Sequence, residues 1–137
     1  MIVCHPWDAL IQGLYDCGSY ERGHAYLREH ALEITSEFVS TLRTISMNLL
    51  TDESEPELAT QFGELAIIAA ILLGRDDDTG MAIYCKGAIL SRQGTFREAT
   101  TLLDEAQAYL RSADNSAQLA NCLYDSAICY DKPPVST

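Results

Sequence analysis

The sequence predicts an all-α fold built from repeated helix pairs, and three observations carry that prediction. Apolar residues recur at helical spacing along nearly every stretch, and alternating β-branched runs are scarce. The string Cys17-Gly18-Ser19-Tyr20-Glu21-Arg22-Gly23 reappears as Gln93-Gly94-Thr95-Phe96-Arg97-Glu98-Ala99: glycine, hydroxyl, aromatic, two charges, tiny residue. The offset is 76 residues, twice 38, and Lys86-Gly87-Ala88-Ile89-Leu90 matches Asp125-Ser126-Ala127-Ile128-Cys129 at an offset of 39. A period near 38–40 residues marks an array in which each hairpin is too small to bury its apolar face alone and stacks on the next.

Seven helices follow, at about Pro6–Asp16, Tyr20–Ile34, Glu37–Leu50, Glu55–Leu73, Gly80–Arg92, Phe96–Arg111 and Ala117–Tyr130. The first ends at Gly18, where a positive φ costs a residue with a Cβ about 1–2 kcal/mol. Ser19 then caps the second helix, and Gly23, one turn inside, permits a close crossing. Thr35-Ser36 is the only punctuation before the third helix. The fourth begins with a capping box, Ser54-x-x-Glu57, and with Pro56 in the first turn, where a missing N–H is harmless. Gly74 to Thr79 reads as a polar connector, with Asp76, Asp77 and Asp78 in it for solvation and capping. Gly94 and the capping box Thr95-Phe96-Arg97-Glu98 open the sixth helix, with Ala99 as the small crossing residue. Ser112 to Ser116 is the last connector. The domain spans 1–131, as repeats at about 3–35, 36–78 and 79–115 with a half repeat at 116–131, and residues 132–137 form a tail.

These residues resemble the tetratricopeptide repeat family. Trp7, Leu10, Leu14, Gly18, Tyr20, Gly23 and Leu27 fall on the family's signature spacing, and so do Gly87, Leu90, Gly94, Phe96, Ala99, Leu103 and Ala106. The middle repeat matches through Leu42, Ile45, Leu49, Ala59 and Ala66 only. The family's closing proline is replaced by Thr35 and Arg111, and the long period resembles the extended repeats of kinesin light chains and bacterial peptide-sensing regulators. The resemblance implies a right-handed superhelical solenoid whose first helices line a concave groove. The implied groove positions are Asp8, Gln12, Tyr15, Arg43, Met47, Tyr84, Ala88, Ser91, Leu123 and Tyr130. Asp8 and Gln12 replace the basic and amide residues with which some family members grip a chaperone's terminal carboxylate, so that mode is disfavoured.

Composition narrows the function. The chain has 9 Lys and Arg against 20 Asp and Glu, a net charge of −11, which repels nucleic acid and anionic membranes. Its longest uninterrupted apolar run, Leu65 to Leu73, falls short of the roughly 20 residues that cross a bilayer, and no membrane span is expected. The N-terminal residues lack a secretory pattern, and five unpaired-looking cysteines suit the cytoplasm, or the nucleus. Cys4, Cys17, Cys85, Cys122 and Cys129 are read as small apolar residues, His24 and His30 lie about 120° apart on their helix, and no phosphate loop, nucleophile elbow or metal motif occurs. Neither catalysis nor a cofactor nor a metal is expected.

The expected function is a protein–protein interaction module, a scaffold or adaptor binding a partner peptide, helix or subunit in the groove. Its acidic rim would steer basic partners in. The alternatives are a regulatory peptide-sensing domain and an accessory domain of a larger enzyme. The last helix is apolar on nearly all sides, so self-association or continuation of the stack is expected to cover it.

Overall fold

A computed structural model describes residues 8–52 and 55–130. All regular elements among them are helical: α1 Asp8–Cys17, α2 Tyr20–Glu29, a 3-10 turn at Ala31–Glu33, α3 Ser36–Asp52, α4 Pro56–Leu73, α5 Asp76–Arg92, α6 Phe96–Ser112 and α7 Ser116–Tyr130. Pro6, Trp7, Ser54 and the 132–137 tail lie outside the described residues.

Local chemistry sets most boundaries where the sequence places them. Gly18 and Gly94 adopt φ of +75° and +82° between paired helices. The Ser19 hydroxyl accepts from the Arg22 amide at 3.2 Å, capping α2, and the Thr35 hydroxyl accepts from the Phe38 amide at 3.1 Å, capping α3. Pro56 occupies the first turn of α4.

Three expectations are corrected. Helix α2 stops at Glu29 rather than Ile34, because the chain tightens into the 3-10 turn, where the His30 ring packs 4.4 Å from Tyr26 and bonds Glu33 at 2.5 Å. Helix α5 starts at Asp76, four residues before Gly80, so the third helix pair begins inside the expected connector. There Asp78 is buried and accepts from the Ser36 hydroxyl at 2.7 Å, tying the first turns of α3 and α5 together. The Thr95 capping box does not form: Thr95 has φ −88° and ψ 68°, and its hydroxyl makes no cap bond.

Packing follows chain order from the second pair onward. Helices α3 with α4 and α5 with α6 form antiparallel-style neighbours, α4 packs on α5, α6 on α7, and α3 and α5 each touch the next first-of-pair helix, α5 and α7. The first pair joins differently, through α2 on α4. Close approach depends on missing side chains: a Cβ at Gly23 would lie 3.1 Å from Leu65, and one at Gly87 would lie 3.0 Å from Leu103. The core divides accordingly. One cluster, with Leu14, Leu27, Phe38, Leu42, Phe62 and Leu65, joins α1 to α4, and a second, with Ile83, Leu103, Leu110 and Cys122, joins α5 to α7. Ile67 touches both.

Among the described residues, helix α4 is by length and composition long and apolar enough to cross a membrane, a test that a buried core helix also passes. Ala59, Phe62, Leu65, Ala66, Ala69 and Ala70 are its fully buried apolar residues, against α2, α3 and α5. Apolarity on several faces is what a helix central to a stack requires.

Candidate functional site

A cleft of about 390 Å³ opens where α3 and α5 lie side by side and α7 flanks α5. Helix α5 lines it with Met81, Tyr84, Cys85, Ala88 and Arg92, at spacings of three, four and seven residues that make one continuous helical stripe. Helix α3 contributes Arg43, Thr44, Met47 and Asn48, and α7 contributes Asp125. The mixture of two thioethers, a phenol, amide and hydroxyl groups and two guanidinium groups suits an amphipathic ligand.

Charge in the cleft is distributed unevenly. Asp125 is the one carboxylate in its lining, and the Tyr84 hydroxyl donates to it. Burial, reinforced by this hydrogen bond, pushes the Tyr84 phenol well above its ordinary range. Among the described residues, Lys86 on α5 is ion-paired at 2.7 Å with Glu64, whereas neither Arg43 nor Arg92 has a carboxylate within salt-bridge distance. The Arg43 Nε–H is shielded from solvent and finds no acceptor among the described residues. A buried donor left in that state costs about 1–3 kcal/mol, and more when the group is charged. The Cys85 thiol points toward the Arg43 carbonyl oxygen at 3.9 Å, and burial pushes it up to about 11 against the downward pull of Arg43 and Arg92. A thiol held neutral in this way is a packing group, not a nucleophile.

The residues named from sequence divide into two sets. Arg43, Met47, Tyr84 and Ala88 meet in the cleft. Ser91 lies one position off the stripe, its hydroxyl engaged by the Cys129 thiol at 3.3 Å. Gln12 and Tyr15 sit on α1, the former bonded to Asp16 at 3.1 Å and the latter with its ring 4.7 Å from Phe62 of α4. Asp8 begins α1. Tyr130 turns to α6, where its hydroxyl donates to Asp104 at 2.7 Å, and Leu123 is exposed beside Tyr124 on the outer face of α7. Among the described side chains, none of Gln12, Tyr15, Ser91, Leu123 and Tyr130 lines the cleft.

Sequence reading misses Thr44, Asn48, Met81, Cys85, Arg92 and Asp125. Following the α5 stripe from Tyr84 by three residues back and by four and eight forward would have found Met81, Ala88 and Arg92 together, since all share one face. Asp125 has no such signal, because only the docking of α7 against α5 brings it there. Among the described residues, no three His, Cys, Asp or Glu side chains gather at metal-binding distance. No family model, curated protein or solved structure matches this chain.

Proposed function

We propose that the chain is a protein-interaction module of the scaffold or adaptor kind, holding a partner peptide in the cleft between α3 and α5. We infer further that its helix pairs stack as a right-handed, tetratricopeptide-like solenoid. Support for the stack comes from the order of contacts, first-of-pair helix to first-of-pair helix and second to next first, and from glycine at the positive-φ position of two hairpin turns. The observation that carries the binding reading is the convergence of Arg43, Met47, Tyr84 and Ala88, from two helices, on a single concave surface where the shielded Arg43 Nε–H has no acceptor among the described residues. Its neutral thiol and phenol favour docking over catalysis.

Ala88→Trp tests this reading, since an indole at that half-buried position fills the cleft without entering the two core clusters. Partners captured by the wild-type chain should be lost by Ala88→Trp at unchanged helicity and melting temperature. Retention of those partners by the blocked chain would exclude the cleft as the docking surface.

A further inference from the structure

We propose that the α3–α5 cleft takes an acidic peptide segment in the polyproline II conformation, two of whose Asp or Glu side chains, about three residues apart, are held by Arg43 and Arg92. The inference rests on the docking reading above and adds the chemistry of the occupant.

Four observations lead to it. The chain as a whole is strongly acidic, at −11, yet the cleft lining holds two arginines and a single carboxylate, which is already bonded to Tyr84. Arg43 and Arg92 lack carboxylate partners among the described residues, and the shielded Arg43 Nε–H needs an acceptor, which a ligand carboxylate supplies. Their side chains leave the backbone at separate points along the cleft. The Arg43 backbone carbonyl stands opposite Cys85, and Arg92 lies seven residues further along α5, about 10 Å at the helical rise. A peptide in the polyproline II conformation covers that distance in about three residues and, with three residues per turn, brings side chains three apart back to the same face.

Met81 to Arg92 spans about 16 Å of helix axis, enough for about five residues of such a chain. Met47 and Met81 provide polarizable surface for an apolar side chain between the two acids.

The test is selection of phage-displayed random dodecapeptides on the intact chain, in parallel on Arg43→Gln/Arg92→Gln and on Ala88→Trp. Two synthetic peptides follow by fluorescence anisotropy, one with two Glu three residues apart and one with Gln at both places. The expected result is enrichment of paired acids on the wild-type chain and their loss on both variants. The Gln peptide should bind about tenfold or more weakly than the Glu peptide. Arg92→Gln alone, at an exposed residue whose replacement leaves the fold intact, should lose several-fold in affinity. Neutral or basic winners that Ala88→Trp abolishes would overturn the acidic occupant while keeping the docking site. Acidic winners retained by the double Gln variant would overturn it too. An absence of any binder sensitive to Ala88→Trp would overturn both readings.

Discussion

Leu103→Ala separates a stack of neighbouring pairs from a single globule. Leu103 is fully buried on α6, lies against Gly87 of α5, and its carbonyl accepts from the Cys122 thiol of α7 at 3.2 Å, so it sits at the centre of the second core cluster. Removing a buried leucine side chain costs about 2–5 kcal/mol, the spread reflecting how far the site can collapse, and a middle value is about 3 kcal/mol. The close approach of Gly87 limits that collapse, because the backbones of α5 and α6 are already near one another. In a stack, the loss stays with α5, α6 and α7, and about 3 kcal/mol raises amide exchange there by about two orders of magnitude. Amides of α1 and α2, which belong to the other cluster, should change by less than about threefold. The assay is hydrogen exchange followed by mass spectrometry under native conditions. A uniform loss of protection from α1 to α7 would mean one cooperative core, and the pair-by-pair account would fall.

Other predictions concern local chemistry. Gly94→Ala should lower stability by about 1–2 kcal/mol, read by chemical denaturation, because φ of +82° strains a residue with a Cβ although nothing crowds it. An unchanged midpoint would mean that the turn relaxes. Burial raises the Cys85 and Cys122 thiols from an ordinary 9.0 to about 11, so the unfolded chain releases protons first as the solution becomes alkaline. Their contribution to stability is fully present below pH 9.0 and is lost between 9.0 and about 11; a melting temperature that rises over that window would contradict it.

What was legible in the sequence was local. Gly18, Ser19, Gly94 and Pro56 act within one turn of themselves, and each sits where its own chemistry puts it. The start of α5 was not legible, because Asp78 looks like a solvated connector until Ser36, 42 residues away, donates to it. The Thr95 box failed for a related reason: its residue pattern is right, but the turn holds Thr95 at ψ 68°, outside the extended conformation that aims a cap hydroxyl. Four of the ten lining residues, Arg43, Met47, Tyr84 and Ala88, are among the positions that the resemblance implies, Tyr84 and Ala88 lying on one face of α5. Gln12 and Tyr15 fall elsewhere because the first pair enters through α2 on α4, an arrangement set by long-range packing and invisible in the spacing of α1. Asp125, two residues from Leu123 and about 160° around α7, takes the groove position expected of Leu123 for the same reason, since the docking of that helix decides which face meets Tyr84.

Overall charge and cleft charge have opposite signs, and that opposition yields a kinetic prediction. At distances beyond the cleft an acidic peptide meets the field of the whole chain, −11, and is repelled; in contact it meets Arg43 and Arg92 and is held. Salt shortens the reach of the field, to about 10 Å at 0.1 M, and weakens contact pairs that water reaches. Raising salt from about 20 to 150 mM should therefore speed association of the Glu-pair peptide while also speeding its dissociation. A basic peptide should show slower association over the same range. Stopped-flow fluorescence measures both rates. An association rate for the acidic peptide that falls with salt would mean that the two arginines dominate the approach as well as the contact, so that the −11 background does not govern encounter.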